Sequence, residues 1–404
     1  MSSLQQVRLT EAERAELASI TKKRMNESGV KALLATGSPT ITWATGGVCF
    51  PYLDQNMVQP VAVFLDFEAD LKVIFCSHDL AGIPGQMGWE GVLVPYVLDH
   101  ASPEASLAAA VAEFLATVPT TADAIGVDGD RMTRGQLTAF RSALPKKTFN
   151  DVSNALNAAR IRKTTGELRL IEAACRAGDR GFVSALNHTE GAALDTLSYP
   201  VWEYGERCRV HVGEFGGSGV GNLVVAQGAR ARDLYPETDP YATFSKGELV
   251  RMEFSAHYAG YWMAGSRTVS VGHPSPEARR SWEDNKILRA AAVDALIVGK
   301  RACDVHAAVV AASDRTGIAF WSAQGVGHGV GASEHEAPFL APFDDRWLSP
   351  GMAVAVAVYT YGPNQELICN KDVFEVTDGA PRLLTWYKTF PNLYSLFGTS
   401  ARHG

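Results

Sequence analysis

Between Gly327 and Pro338 the chain reads Gly-His-Gly-Val-Gly-Ala-Ser-Glu-His-Glu-Ala-Pro, with His328 and His335 seven residues apart. Histidine takes and gives protons near neutral pH, so two in one short stretch suit general acid–base work. Glycines on both sides of His328 and the His335-Glu336-x-Pro338 ending read as an active-site strand and loop. His328 is the expected proton shuttle and His335 a substrate donor or acid. Glu336 is expected to contact substrate, to orient a histidine or to satisfy backbone donors.

The elements that must hold these residues are legible from pattern. At ~150 residues per domain, 404 residues suggest two domains. A net charge of −7 with no Lys/Arg-rich run leaves no footprint for nucleic acid. No apolar run approaches the ~20 residues of a membrane span, and residues 1–16 are polar, so a cytoplasmic location is expected. Six scattered cysteines without CxxC spacing read as reduced, buried thiols. Thr10 and Glu13 form a capping box opening the first helix, and strands follow at 30–35, 61–66 and 71–76. Alternation of strands and helices implies a small α/β domain over residues 1–156. A second domain, 157–404, begins with the capping pair Thr164 and Glu167. In it, Ser275 and Pro276 open a helix expected to reach Val298, and strands 249–256 and 261–271 are expected to be joined by the four-residue turn His257–Gly260. From Ala353 to Tyr359 alanine and valine alternate, which puts Ala353, Ala355, Ala357 and Tyr359 on one face of a strand. If the valines pack on helices, the alanine face lines and widens a pocket.

Several segments together resemble the pita-bread family of methionine and proline-specific aminopeptidases and creatinase. They are the His328 run, Arg160-x-x-Lys163, Gly260-Tyr261 with Arg267-Thr268, Pro350-Gly351-Met352 and Val376-Thr377. The resemblance implies an α+β protein, a small N-terminal α/β domain followed by a pita-bread catalytic domain. It also implies five metal-ligand positions. His328 keeps one, Glu253 replaces an aspartate, and Ala264, Ala357 and Lys371 stand at the other three. Paired divalent ions need hard oxygen ligands, so neither metal nor other cofactor is expected. Glu253 and Lys371 read as an ion pair in the metals' place, which either works with His328 in catalysis or only fills the space.

Creatinase resembles this pattern in working without metal, but Tyr235 stands where that enzyme has its shuttle histidine. The loop from Val48 to Asn56 carries Asp54 and no arginine to clamp a carboxylate. Trp262, on one strand face with Ala264 and Ser266, is expected to join Phe50, Tyr52 and Tyr359 in an aromatic, partly acidic pocket for a cationic or planar ligand. The expected function is therefore a metal-independent, creatinase-like hydrolase or lyase of a small nitrogen-containing molecule, cleaving a non-peptide C–N bond. A sulfonium-cleaving lyase and a non-catalytic binding module remain as alternatives, with peptidase activity set aside. A homodimer is expected from the family analogy and from the apolar run Trp43–Tyr52.

Overall fold

The computed structural model describes residues 7–50, 59–118, 120, 122–190, 201–214, 219–237, 239, 241–323, 325–385 and 392–396. Helix α1 (Glu11–Glu27) opens on the expected box, in which the Thr10 hydroxyl accepts from the Glu13 N–H and the Glu13 carboxylate accepts from the Thr10 N–H. The chain forms two units, one of residues 7–160 with 164–166, the other of 161–163 with 167 onward.

In the first unit strands β1 (Ala32–Ala35), β2 (Ala62–Asp66), β3 (Leu71–Ser77), β4 (Val92–Tyr96), β5 (Ala124–Val127) and β6 (Thr148–Asp151) make one sheet in the order β4-β3-β2-β1-β5-β6. The pairings β1·β5, β3·β4 and β5·β6 are parallel; β1·β2 and β2·β3 are antiparallel. Leu34, Phe64, Phe75 and Ile125 of the sheet share a buried core with Leu107, Val111 and Phe140. The last three lie on α4 (Pro103–Thr117) and α5 (Arg134–Ala143), introduced after α2 (Ser38–Thr45) and α3 (Gly82–Gln86) in chain order. α6 (Ser153–Ile161) closes the unit. Asp128, just past β5, is wholly buried and accepts from the N–H groups of Thr36, at 3.1 Å, and Gly37, at 2.8 Å. Gly37 is the N-cap of α2 and has no side chain to cap with, so Asp128 satisfies those donors from 91 residues away.

The second unit contains α7 (Thr165–Glu190), α8 (Val201–Glu214), β7 (Gly219–Gln227), β8 (Leu249–Tyr258), β9 (Tyr261–Val271), α9 (Pro276–Ala295) and α10 (Ala302–Thr316). It continues with β10 (Phe320–Trp321), β11 (Gly327–Gly329), β12 (Glu336–Phe339), β13 (Ala353–Val356), β14 (Tyr359–Tyr361), β15 (Leu367–Cys369), β16 (Asp372–Glu375), β17 (Arg382–Leu383) and β18 (Tyr394–Leu396). Among the described residues these strands form three sheets, β18-β9-β8-β7, β12-β11-β13-β16-β17 and β10-β14-β15. Val354, Val356 and Val358 pack into one core with Leu288 and Ala292 of α9 and Val305 and Val309 of α10, as the alternating pattern requires. Burying each such side chain stabilises the unit by ~1.5–3 kcal/mol.

Three local expectations are corrected. The β8–β9 turn has two residues, not four, because His257 and Tyr258 pair with Trp262 and Tyr261. Ala259 and Gly260 have φ of 47° and 74°, the left-handed pair whose twist matches a two-residue hairpin. α9 stops at Ala295 rather than Val298, because Leu296 leaves helical geometry and buries its side chain. The Ala353–Tyr359 strand is broken, with β13 and β14 in different sheets.

Asp128→Ala should lower stability to urea by about 1–3 kcal/mol, since it leaves the Thr36 and Gly37 donors unpaired in a dry site. Burial pushes the Asp128 carboxyl up to about 6. A carboxyl raised above its unfolded value favours the folded state at low pH, and that contribution is lost as pH rises through about 6. Stability measured from pH 4 to 7 should therefore carry a downward component in the native chain that is missing from Asp128→Ala.

Candidate functional site

Three neighbouring strands place the central charges. Glu253 on β8 lies opposite Ser266 on β9, and Ser266 in turn bridges to Lys371 in the short link between β15 and β16. The backbone of Ser266 and Lys371 exchanges two hydrogen bonds, of 3.1 and 3.3 Å. Side chains in such a cross-strand row stand on one face, and strands two apart are separated by ~10 Å. Serine in the middle is short enough for the two long side chains to meet above it. They form a buried ion pair, Lys371 Nζ donating to Glu253 Oε1.

Further partners hold the carboxylate. The Tyr359 hydroxyl lies 2.8 Å from both Glu253 oxygens, and Arg251, two residues along the same strand face, stands 3.5 Å from Oε2. Burial alone would push the Glu253 carboxyl up, but Lys371 and Arg251 hold it below its ordinary value. Burial works against the Lys371 ammonium too, yet Glu253 keeps its pKa above the usual lysine value. Both groups are charged at neutral pH. The next residue, Asp372, points to the opposite face, as strand alternation demands. There it meets Arg267 at 2.8 Å, Arg289 at 2.5 Å and the Thr385 hydroxyl at 2.8 Å.

The histidine strand comes in beside this pair. β11 is sandwiched between β12 and β13. A side chain at Gly327, where φ is 154°, would strike the Ala355 carbonyl oxygen, and one at Gly329 would come within 2.5 Å of the Ala337 carbonyl oxygen. Glycine on either side thus lets three backbones close around His328. The His328 ring is buried, with Nδ1 3.1 Å from the Gly329 carbonyl oxygen and Nε2 unpartnered. The His335 ring packs on it at 4.0 Å between centroids, and His335 Nδ1 is 4.0 Å from Glu334. Burial, then His335 and Lys371, push the His328 pKa well below its ordinary value. His335 is also lowered, by burial, with Glu334 working the other way. His328 is accordingly a neutral, dry acceptor, where a group titrating near neutral pH was expected.

These groups line a cavity of about 170 Å³ together with Leu234, Tyr235, Trp321, Gly325, Gly327, Phe339, Ala357 and Tyr359. Of the expected site residues, Glu253, His328, His335, Lys371, Tyr235 and Tyr359 come together here. Tyr235 is more than half exposed at the rim. Others do not line the cavity. Glu336 turns away into a buried ion pair with Lys163. Trp262 packs on His257, with ring centroids 4.5 Å apart, beside Gly221. Phe50 is a buried residue of the first unit, while Tyr52 and Asp54 lie outside the described residues. Ala353 and Ala355 are buried and do not line the cavity, so of the alanine face only Ala357 and Tyr359 reach it. Arg251, Leu234, Trp321 and Phe339 were missed. Only Arg251 had a signal, its position two residues before Glu253 on a strand.

Residues 169–378 match the metallopeptidase family M24, and residues 20–162 match the creatinase/prolidase N-terminal domain. An Xaa-Pro dipeptidase of Lactobacillus delbrueckii subsp. lactis is 25% identical over 84% of this chain and 88% of its own length. Another, of Pyrococcus furiosus, is 24% identical over 65% of this chain and 74% of its own. Among solved structures, an Xaa-Pro dipeptidase from Bacillus anthracis superposes with a TM-score of 0.77 at 19% identity, covering 95% of this chain and all of that one. The expected architecture is thereby met, a creatinase-type N-terminal domain followed by a pita-bread domain. The expected function is not. Relatives named as dipeptidases overturn the creatinase-type hydrolase or lyase of a non-peptide bond, its sulfonium-lyase and binding-module alternatives, and the setting aside of peptidase activity. They give no support to metal independence either.

The family's name implies a bound metal, and the side chains around the cavity do not fit one. Among the described residues Glu253 is the one carboxylate lining it, and Lys371, Arg251 and Tyr359 already surround its oxygens. Among the described residues no three His, Cys, Asp or Glu side chains are arranged to hold a metal ion.

Removing one member of the ion pair strands the other charge in a dry site, so Lys371→Met and Glu253→Gln should each cost about 3–5 kcal/mol in urea unfolding. The double variant should regain most of that loss. Additive losses in the double-mutant cycle would mean that the two side chains are not coupled.

Proposed function

The chain belongs to the metallopeptidase family M24, and from that premise we propose that it hydrolyses the amide bonds of short peptides in the cavity around Lys371. The observation that carries this reading is a buried ammonium, kept charged by Glu253, lining a small cavity of mixed polar and apolar walls. An ammonium has three N–H groups, and Glu253 takes one. A substrate carbonyl oxygen seated against another would have its developing negative charge stabilised in the low-dielectric site, the largest single contribution in many acyl-transfer reactions. An apolar cavity of ~150 Å³ holds one benzene ring. At about 170 Å³, walled by Leu234, Trp321, Phe339, Ala357 and Tyr359, this cavity suits one side chain or ring of a dipeptide-sized substrate.

His335 is the proton carrier in this reading, because its side chain is about half exposed and reaches both solvent water and the cavity. It takes a proton from the water whose oxygen attacks the carbonyl carbon, and returns it to the departing amine nitrogen as the C–N bond breaks. The products are a carboxylic acid and an amine. No step is drawn through a metal, since the residues present do not fit one.

Purified protein incubated with a panel of dipeptides, with and without added manganese or zinc, should release free amino acids from at least one. Failure with every dipeptide under both conditions would sink the proposal. The Lys371→Met/Glu253→Gln double variant should fold and lose ~10²–10³ in turnover. His335→Ala should lose ~10²–10⁴. A base whose pKa is depressed stays unprotonated to lower pH, so the acid limb of activity should lie below the pH at which an ordinary histidine titrates. Glu334, Lys371, Glu253 and His328 are the groups that set this limb.

A further inference from the structure

We propose that the group seated between Lys371 and His328 is an amide bearing its own N–H, a primary or secondary amide, so that the cavity selects against the tertiary amide that precedes a proline. This rests on the reading that Lys371 receives an amide carbonyl, and it adds which kind of amide.

His328 Nδ1 lies 3.1 Å from the Gly329 carbonyl oxygen, which can only accept. The proton of the neutral ring must therefore sit on Nδ1, which leaves Nε2 with a bare lone pair. Nε2 is buried and has no partner among the described residues. A buried acceptor left unmade is costly, so a ligand that supplies a donor gains what the folded protein forgoes.

Two nearby hydroxyls are already committed. The Tyr359 hydroxyl is held by both oxygens of Glu253, and the Ser333 hydroxyl donates to the His335 carbonyl oxygen at 3.1 Å. His335 meets His328 through its ring face, at an interplanar angle of 32°, so it gives Nε2 no hydrogen bond. Lys371 lines the same cavity and offers only donors.

Among the described lining residues, His328 Nε2 is the buried ring acceptor left without a partner and Lys371 the cationic donor, beside the hydroxyls of Tyr235 and Tyr359, the Trp321 indole and the His335 ring. A –C(=O)–NH– group matches both, with its oxygen on Lys371 and its N–H on Nε2. A carboxylate satisfies Lys371 but sets negative charge against the lone pair. An ester or a tertiary amide keeps the carbonyl and lacks the donor, so Nε2 stays unpaired. The relatives are named for Xaa-Pro bonds, whose nitrogen carries no hydrogen. Selectivity here should run the other way.

Titration calorimetry of the full chain with three ring-bearing ligands of similar size tests this without any turnover. The probes are N-methylbenzamide, N,N-dimethylbenzamide and methyl benzoate. N-methylbenzamide should bind at least about tenfold more tightly than the other two, the loss expected for one buried acceptor left unmatched. In His328→Leu the three affinities should converge, and should that variant fail to fold, the ester comparison on the native chain carries the same information. Equal or tighter binding of the tertiary amide or the ester, or no binding by any of the three, overturns the inference. Dipeptide cleavage is a separate readout, so the proposed function can stand while this selectivity falls.

Discussion

The cavity of the second unit is built around a buried charge, the Lys371 ammonium. A buried ammonium persists only when an anion and further hydrogen bonds compensate its lost hydration. Lys371 meets that condition through Glu253, and Glu253 through Tyr359 and Arg251. Arg251 in turn donates to the carbonyl oxygens of Asp233 and Leu234, at 2.7 and 3.0 Å, so the same charge network fixes the chain segment that carries Leu234 and Tyr235 to the cavity. Behind the sheet a second network, Asp372 with Arg267, Arg289 and Thr385, locks the strand on which Lys371 depends. Strand alternation divides the two networks. A slip of one residue would exchange Lys371 and Asp372 between the cavity and the core.

The histidine strand is held by a different constraint, the space between backbones. β11 can lie between β12 and β13 only because Gly327 and Gly329 add no side chain where carbonyl oxygens already stand. That closeness buries the His328 ring, whose Nδ1 lies 3.1 Å from the carbonyl oxygen of the next residue, Gly329. The tautomer, and with it the character of the free nitrogen, follows from that contact with the backbone carbonyl.

Much of this was legible in the sequence, and the parts that were not share a cause. The helix start at Glu11 and the valine face of β13 rest on capping and periodicity, which are local, and the meeting of Glu253 with Lys371, 118 residues apart, was reached through the family resemblance. Glu336 was misread because its partner, Lys163, is 173 residues away, and no local pattern says that a carboxylate beside a site residue will turn to a distant lysine. Trp262 was misread for a similar reason. Alternation gives its face of β9 correctly, but His257 lies across the hairpin and takes up the ring before it can reach the cavity. Trp321 and Phe339 line the cavity from short strands of two and four residues, too brief to show any period.

The family relationship and the chemistry of the site meet on a single physical requirement, positive charge beside a carbonyl oxygen. A metal ion supplies it with two or more charges and open coordination positions, and a lysine supplies it with one charge and three directed donors. The lysine has a cost, because a substrate oxygen competes with Glu253 for the same ammonium. Arg251 and Tyr359 lower that cost. With Tyr359 bonded to both carboxylate oxygens and Arg251 3.5 Å from one, Glu253 stays compensated while a Lys371 N–H turns toward the substrate. Without them the ion pair would be a closed plug, since each donor given to substrate would expose a buried carboxylate. The two flanking groups make the pair usable, and they mark Arg251 and Tyr359 as positioning residues for Lys371.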